Sequence, residues 1–208
     1  MTTPAMTDGQ LLDYSSEHLL HELSMLWELS AILPKQKAGT ETSALVESFG
    51  IHLRNLIDFF YRDGHGDDVT AQDFLDSRTT WKSVEPASLT KAHKRANKEL
   101  SHLTQARISG DPPEKAWDVQ ALLGEIDGVA KNFAANASVK KLHPAVRHFL
   151  QLPPDRKLAW IGTNVQHMNV ALPIAISSVS CSTQTQLVTK LDLNDPQILR
   201  VRLPDPKE

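Results

Sequence analysis

Apolar residues recur along this chain at three- and four-residue spacing in long runs, which is the period of helices that bury one face. Leu12, Leu19, Leu23 and Leu26, flanked by Trp27, predict a first helix over residues 9–33, stopped by Pro34. Leu45, Phe49, Leu53, Leu56 and Phe60, with Val46 and Ile57 widening the stripe, predict a second over 40–62. Thr40 or Thr42 can cap it, and Asp63-Gly64 and Gly66-Asp67 can end it. Residues 69–75 read as a short helix that sets Phe74 against the core, with Trp81 in the connection after it. A third long helix is predicted over 86–107, with proline in its first turn and Leu89, Ala92, Ala96, Leu100 and Leu103 on its apolar face. A fourth, over 117–136, carries Val119, Leu122, Leu123, Ile126, Val129 and Phe133. A shorter amphipathic piece covers 144–152.

At Pro153-Pro154 the periodicity breaks down. Residues 177–186 are rich in serine and threonine, and 187–193 and 198–203 are short β-like runs able to pair as a hairpin. The expected fold class is therefore all-α, an antiparallel helical bundle of four to five helices over residues 1–152. An irregular C-terminal extension, with possible short β-like segments, covers 153–208. No internal repeat or low-complexity tract is present.

Composition narrows the function classes. The 208 residues are 40% hydrophobic, enough for one sizeable core. A formal charge of −3 removes any case for nucleic-acid binding from global electrostatics, so such binding must rest on a local patch. Cys181 is the single cysteine, which excludes an intramolecular disulfide and a cysteine zinc site and fits a reducing compartment. Residues 1–9 have no basic residue and no apolar run, so no secretory signal is expected there. The apolar stretch 170–176 is short and broken by Pro173, well under the roughly 20 residues a bilayer span needs. A cytoplasmic location without membrane insertion is expected.

The chain has no Gly-rich phosphate loop and no Gly-x-Ser-x-Gly elbow, and no cofactor is expected. Three constellations remain. On the third helix Arg95 and His102 stand seven residues apart, almost two α-helical turns, with Asn97, Lys98 and Glu99 between. An arginine offers a fixed fork of donors to phosphate oxygens, and a histidine moves protons near neutral pH. RNA carries its own 2′-hydroxyl nucleophile, so the pair needs no metal to cleave it. The same spacing equally serves a surface Arg95–Glu99 pair at i,i+4. On the second helix His52 and Asn55 are neighbours at i,i+3, and Arg54 can pair with Asp58 at i,i+4. They can assist the third helix from across a cleft, or form a half-buried histidine and an ordinary ion pair. On the first helix Glu17, His18, His21 and Glu22 form a His/Glu mixture of the kind that binds zinc or iron, without a partner cluster elsewhere; a charged helix face accounts for it, and no metal is expected. His143 and His148 are isolated. Basic residues concentrate at His93, Lys94, Arg95, Lys98 and Arg107, with Lys140, Lys141 and Arg147 as a second cluster. Either is a local phosphate-binding strip or plain surface.

The run from Glu47 through His52-Leu-Arg54-Asn55 to Tyr61, and the run Arg95-Ala-Asn-Lys-Glu-Leu-Ser-His102-Leu-Thr104 followed by Arg107, resemble the HEPN superfamily and related bacterial helical proteins over about residues 10–135. The resemblance implies a four- or five-helix bundle, a homodimer, and metal-independent ribonuclease activity of toxin or defence systems with an antitoxin protein partner. It implies His102 as general acid or base and Arg95 as stabiliser of the phosphorane. Asn97, His52, Arg54, Asn55, Lys98 and Arg107 would be supporting or RNA-binding groups. In that superfamily the residue after the arginine is usually polar; here it is Ala96, with Asn97 one position later. A non-catalytic module that binds a protein or nucleotide through the same helix face is the alternative.

Overall fold

The first long run of apolar periodicity folds as a helix interrupted once. The computed structural model describes residues 5–77, 81–101, 104–108 and 116–165. Helix α1 (Asp8–Tyr14) starts at a reciprocal cap in which the Thr7 hydroxyl accepts from the Gln10 backbone and the Gln10 side chain accepts from the Thr7 backbone. A π-helical turn, Ser15–Leu19, then leads into α2 (Leu20–Ile32). The π turn inserts one residue into the helical phase. It moves the buried stripe back from the expected Leu12 to Leu11, which is buried along with Leu19, Leu23 and Leu26.

Helix α3 (Thr40–Tyr61) buries Phe49, Leu53, Leu56, Ile57, Phe59 and Phe60, while Leu45 and Val46 are only half-buried near its start. A 3-10 turn, Ala71–Phe74, capped by Thr70 and Asp73, seats Phe74 in the core as expected. The third long helix departs from expectation. Helix α4 (Ala87–Arg95) passes into a π-helical segment, Ala96–Ser101, and a separate 3-10 turn, Gln105–Ile108. The helical phase therefore changes after Arg95. Helix α5 (Val119–Asn136) is capped by the Asp118 carboxylate accepting from Ala121 N–H, and α6 (Pro144–Gln151) follows.

Beyond Pro153 the chain continues as α7 (Pro154–Asn164), with proline at its first turn and Lys157 and Ile161 buried. Helical packing therefore extends past the expected boundary at residue 152. The β-like runs at 187–193 and 198–203, the Ser/Thr-rich stretch and Cys181 lie outside the described residues, all of which belong to one unit, Met1–Met168.

Side-chain pairs fix the helix directions. Glu22 of α2 meets His52 of α3, and Leu33, just past α2, lines the same cavity as Thr42 and Val46 near the start of α3, so the two run antiparallel. Asp58 meets His93 while Gly50 meets Leu100, so α4 is antiparallel to α3. Phe49 packs on Trp117 and Phe60 on Phe133, so α5 runs parallel to α3. The α2–α5 region is thus an antiparallel bundle. Among the described residues no helix is long and apolar enough to cross a membrane.

Gly50 lies directly against the Leu100 side chain. A Cβ there would lie 2.1 Å from Leu100 Cδ1. Gly50→Ala is expected to lose a net ~1 kcal/mol, an overpacking cost of about 2 kcal/mol less about 1 kcal/mol of regained helix propensity. Urea unfolding checks this, and an alanine variant as stable as wild type would mean that Leu100 withdraws freely.

Candidate functional site

Helix α4 and its π-helical continuation present three different faces. On the first, Arg95 is held from three sides. Its Nε donates to both Glu99 carboxylate oxygens at 3.1 and 3.2 Å, and Nη2 donates to Oε2 at 3.1 Å. Nη1 donates to the Ala116 carbonyl at 3.2 Å, and the guanidinium lies 4.4 Å from the centre of the Trp117 ring. This is the i,i+4 pair that the spacing allowed, now half-buried and stacked, so the fork is fixed in place. It stands at the edge of a cavity of about 760 Å³ between the end of α2 and the starts of α3 and α5. Leu33, Pro34, Val46, Leu100, Trp117 and Val119 supply its apolar walls.

The second face holds Asn97 and His93. His93 Nε2 lies 2.7 Å from Asp58 Oδ1. A carboxylate only accepts, so Nε2 carries the hydrogen. The other ring nitrogen, Nδ1, then accepts from Asn97 Nδ2 at 3.4 Å. Asp58 also pairs with Arg54 at 3.6 Å and Arg62 at 3.8 Å, and Arg62 reaches Glu85 at 3.1 Å. The third face exposes Lys91, Lys94 and Lys98 at i, i+3 and i+7.

The remaining expected residues are distributed as follows. His52 Nδ1 donates to Glu22 Oε2 at 2.8 Å and Asn55 Nδ2 donates to the same oxygen at 3.3 Å, so both are tied to α2. Arg54 and Asn55 line a second cleft, also about 760 Å³, together with Asp58, Arg62 and His93. No residue lines both this cleft and the Arg95 cavity. The structure thus gathers Arg54, Asn55 and Asn97 around Asp58 and His93, and sets Arg95 apart with Glu99 and Trp117. His102 and the Arg107 side chain lie outside the described residues.

The second basic cluster is mostly internal. Lys141 Nζ donates to the Asp73 and Leu75 carbonyls at 3.0 and 2.7 Å. Arg147 donates to the Ala134 and Ala137 carbonyls, closing the C-terminus of α5. Lys140 remains exposed. His143 caps α6 through Nδ1, and His148 tilts against Trp160. On the first helix His18 packs on Tyr14 and His21 edge-on to His52. Among the described residues no group of three or more His, Cys, Asp or Glu side chains is placed to hold a metal.

The His93–Asp58 pair escaped the sequence reading. Its one local signal was His93 and Asn97 at i,i+4, and the carboxylate lies 35 residues earlier in the chain. Tyr14, on the wall of the same cleft, has its phenol pushed above its ordinary value by burial first, then by the charges of Glu22 and Asp68.

Fold and geometry together define an all-helical bundle protein with two recesses on either side of a basic helix. No family model, curated protein or solved structure matches the chain.

Proposed function

We propose that this protein binds nucleotides, RNA strands included, on the α4 face that carries Arg95. The base enters the apolar cavity beside Trp117 and a phosphate meets the guanidinium. The observation that carries this reading is the held Arg95 fork at the mouth of a 760 Å³ apolar cavity. A volume of that size suits a small organic ligand, and a few fixed polar groups at an apolar site are what orient one. Lys94 and Lys98, exposed on the same helix, add local positive charge to a chain that is acidic overall.

Glu99 neutralises Arg95 in the unliganded protein, so an incoming phosphate competes with it. Arg95→Ala is expected to weaken binding of a nucleoside monophosphate by roughly 10- to 100-fold, the loss of a charge-assisted bond. Glu99→Gln is expected to tighten it by a few-fold, because the competitor loses its charge. Quenching of tryptophan fluorescence, lost in Trp117→Phe, reads both. Wild-type protein that binds neither mononucleotides nor single-stranded RNA sinks the proposal.

Cleavage is the stronger form of the same reading. It is favoured by the Arg95–His102 spacing and the resemblance that spacing carries. In it His102 moves the proton of the 2′-hydroxyl or of the leaving oxygen, and Arg95 stabilises the phosphorane. A homodimer, an antitoxin-like protein partner and a cytoplasmic setting belong to this form. Incubation with labelled RNA in EDTA tests it. Cleavage to 2′,3′-cyclic phosphate ends by wild type, absent in His102→Ala, is the expected result. Binding without turnover leaves the chain a non-catalytic module.

A further inference from the structure

A separate recess lies where the π turn of the first helix faces α3. It encloses about 260 Å³ and is walled by Tyr14, His18, Leu56, Phe59 and Val69, with Glu22 and Asn55 as polar groups. Tyr14, Asn55, Phe59 and Val69 also line the larger cleft, so the two are continuous. The π turn, Ser15–Leu19, follows Tyr14 and contains His18; π turns inside α-helices recur at functional sites.

The charge on Glu22 decides what this recess can take. Its side chain is 25% exposed, and among the described residues its one ionic partner is His52. His52 and Asn55 both donate to Oε2, which leaves Oε1 outside those two bonds. A fixed, mostly desolvated carboxylate without a lysine or arginine beside it favours a cation. Two aromatic residues, Tyr14 and Phe59, stand on the walls, and aromatic rings attract a cation that meets their faces. The adjoining cleft repeats the sign. Asp58, Asp63, Asp67 and Asp68 line it against Arg54 and Arg62, and both arginines are paired with Asp58. The Tyr14 phenol at the junction of the two spaces is raised by burial first, and the charges of Glu22 and Asp68 add to that.

We propose that this recess binds a linear alkyl diamine or polyamine, one ammonium on Glu22 between Tyr14 and Phe59 and the chain running into the acidic cleft toward Asp67 and Asp68. The site is independent of the nucleotide reading, since it shares no residue with the Arg95 cavity.

Calorimetric titration of the full chain at pH 7 with butane-1,4-diamine, n-butylamine and butan-1-ol tests it. The diamine is expected to bind most tightly, the monoamine about tenfold more weakly, and the alcohol without saturation. Glu22→Gln is expected to lose diamine binding by tenfold or more, and Tyr14→Leu to weaken it several-fold while Tyr14→Phe does not. Circular dichroism confirms that each variant is folded, and the three-ligand comparison on wild type needs no variant at all. An alcohol that binds as well as the amines overturns the proposal, as does a folded Glu22→Gln protein with wild-type affinity. Tighter binding of Nα-acetyl-lysine methylamide than of the diamine also overturns it, because the cation would then belong to a protein side chain.

Discussion

Phe133→Ala is expected to destabilise the protein by about 3–5 kcal/mol. Phe133 is fully buried and is the centre of an aromatic cluster. Its ring centroid lies 5.5 Å from Phe59, 5.7 Å from Phe60, 5.8 Å from Phe74 and 5.9 Å from Trp81, each at a steep edge-to-face angle. These rings come from α3, from the 3-10 turn and from the connection before α4, so one side chain ties three chain segments to α5. Truncation removes its transfer free energy and leaves a cavity that four rigid rings cannot close. The edge-to-face contacts, worth about 0.5–1.5 kcal/mol for a pair beyond area, set the expected loss toward the upper part of its range. Urea unfolding with an unchanged m-value is the expected result. A loss under about 1 kcal/mol would show that the cluster collapses around the gap.

Lys157→Ala is expected to cost about 2–4 kcal/mol by a different route, chiefly the space it opens in the core. Lys157 is a fully buried lysine on α7. Its Nζ bonds Asp127 of α5 and lies 3.4 Å from the Leu150 carbonyl, with the Trp27 and Phe149 rings centred 5.0 and 4.9 Å away. Alanine deletes the ion pair and opens a space among those rings. Asp127 keeps Lys131 at 2.7 Å, so it is not stranded. Methionine at 157 fills the space without the charge and should cost less than half as much.

The pH dependence separates charge from packing. Burial lowers the pKa of Lys157 from its ordinary 10.5, opposed by Asp127 and aided by Lys131. Between the lowered folded value and 10.5 the unfolded chain holds more protons than the folded one, so stability rises with pH across that window. The contribution is fully present above 10.5 and is lost as pH falls through the folded value. Tyr14 and Tyr61, both raised chiefly by burial, act in the opposite sense above 10.0. They are common to wild type and Lys157→Met, so the stability difference, wild type minus variant, isolates the lysine. It is expected to rise with pH toward 10.5, and a flat difference would remove the charge from the account.

The elements legible in the sequence are those whose signal is local. A stripe such as Leu53, Leu56 and Phe60 repeats at the helical period within one segment, and Pro34 and Pro144 mark ends by the chemistry of their own backbone. Helices α3, α5 and α6 follow from that, as does the burial of Phe74. Helix α7 was hidden because its buried face carries Lys157, which hydropathy counts as exposed; only Asp127, thirty residues away, makes that burial tolerable. The π turns were hidden because one inserted residue changes no composition, yet it exchanges Leu12 for Leu11 in the core and shifts the helical phase after Arg95. The i,i+4 pairs Arg95–Glu99 and Arg54–Asp58 were visible in their spacing, but the grouping across helices was not. Spacing along a helix tells which side chains share a face and is silent on what that face meets. Packing of α4 against α3 turned His93 and Asn97 toward Asp58, and packing near the start of α5 closed Arg95 against Glu99 and Trp117. The sequence by itself determined the all-helical class and the main core residues, because both depend on a short period. Tertiary structure alone decided which polar groups work together across helices, because those partners lie 21 to 35 residues apart and meet only when helices pack.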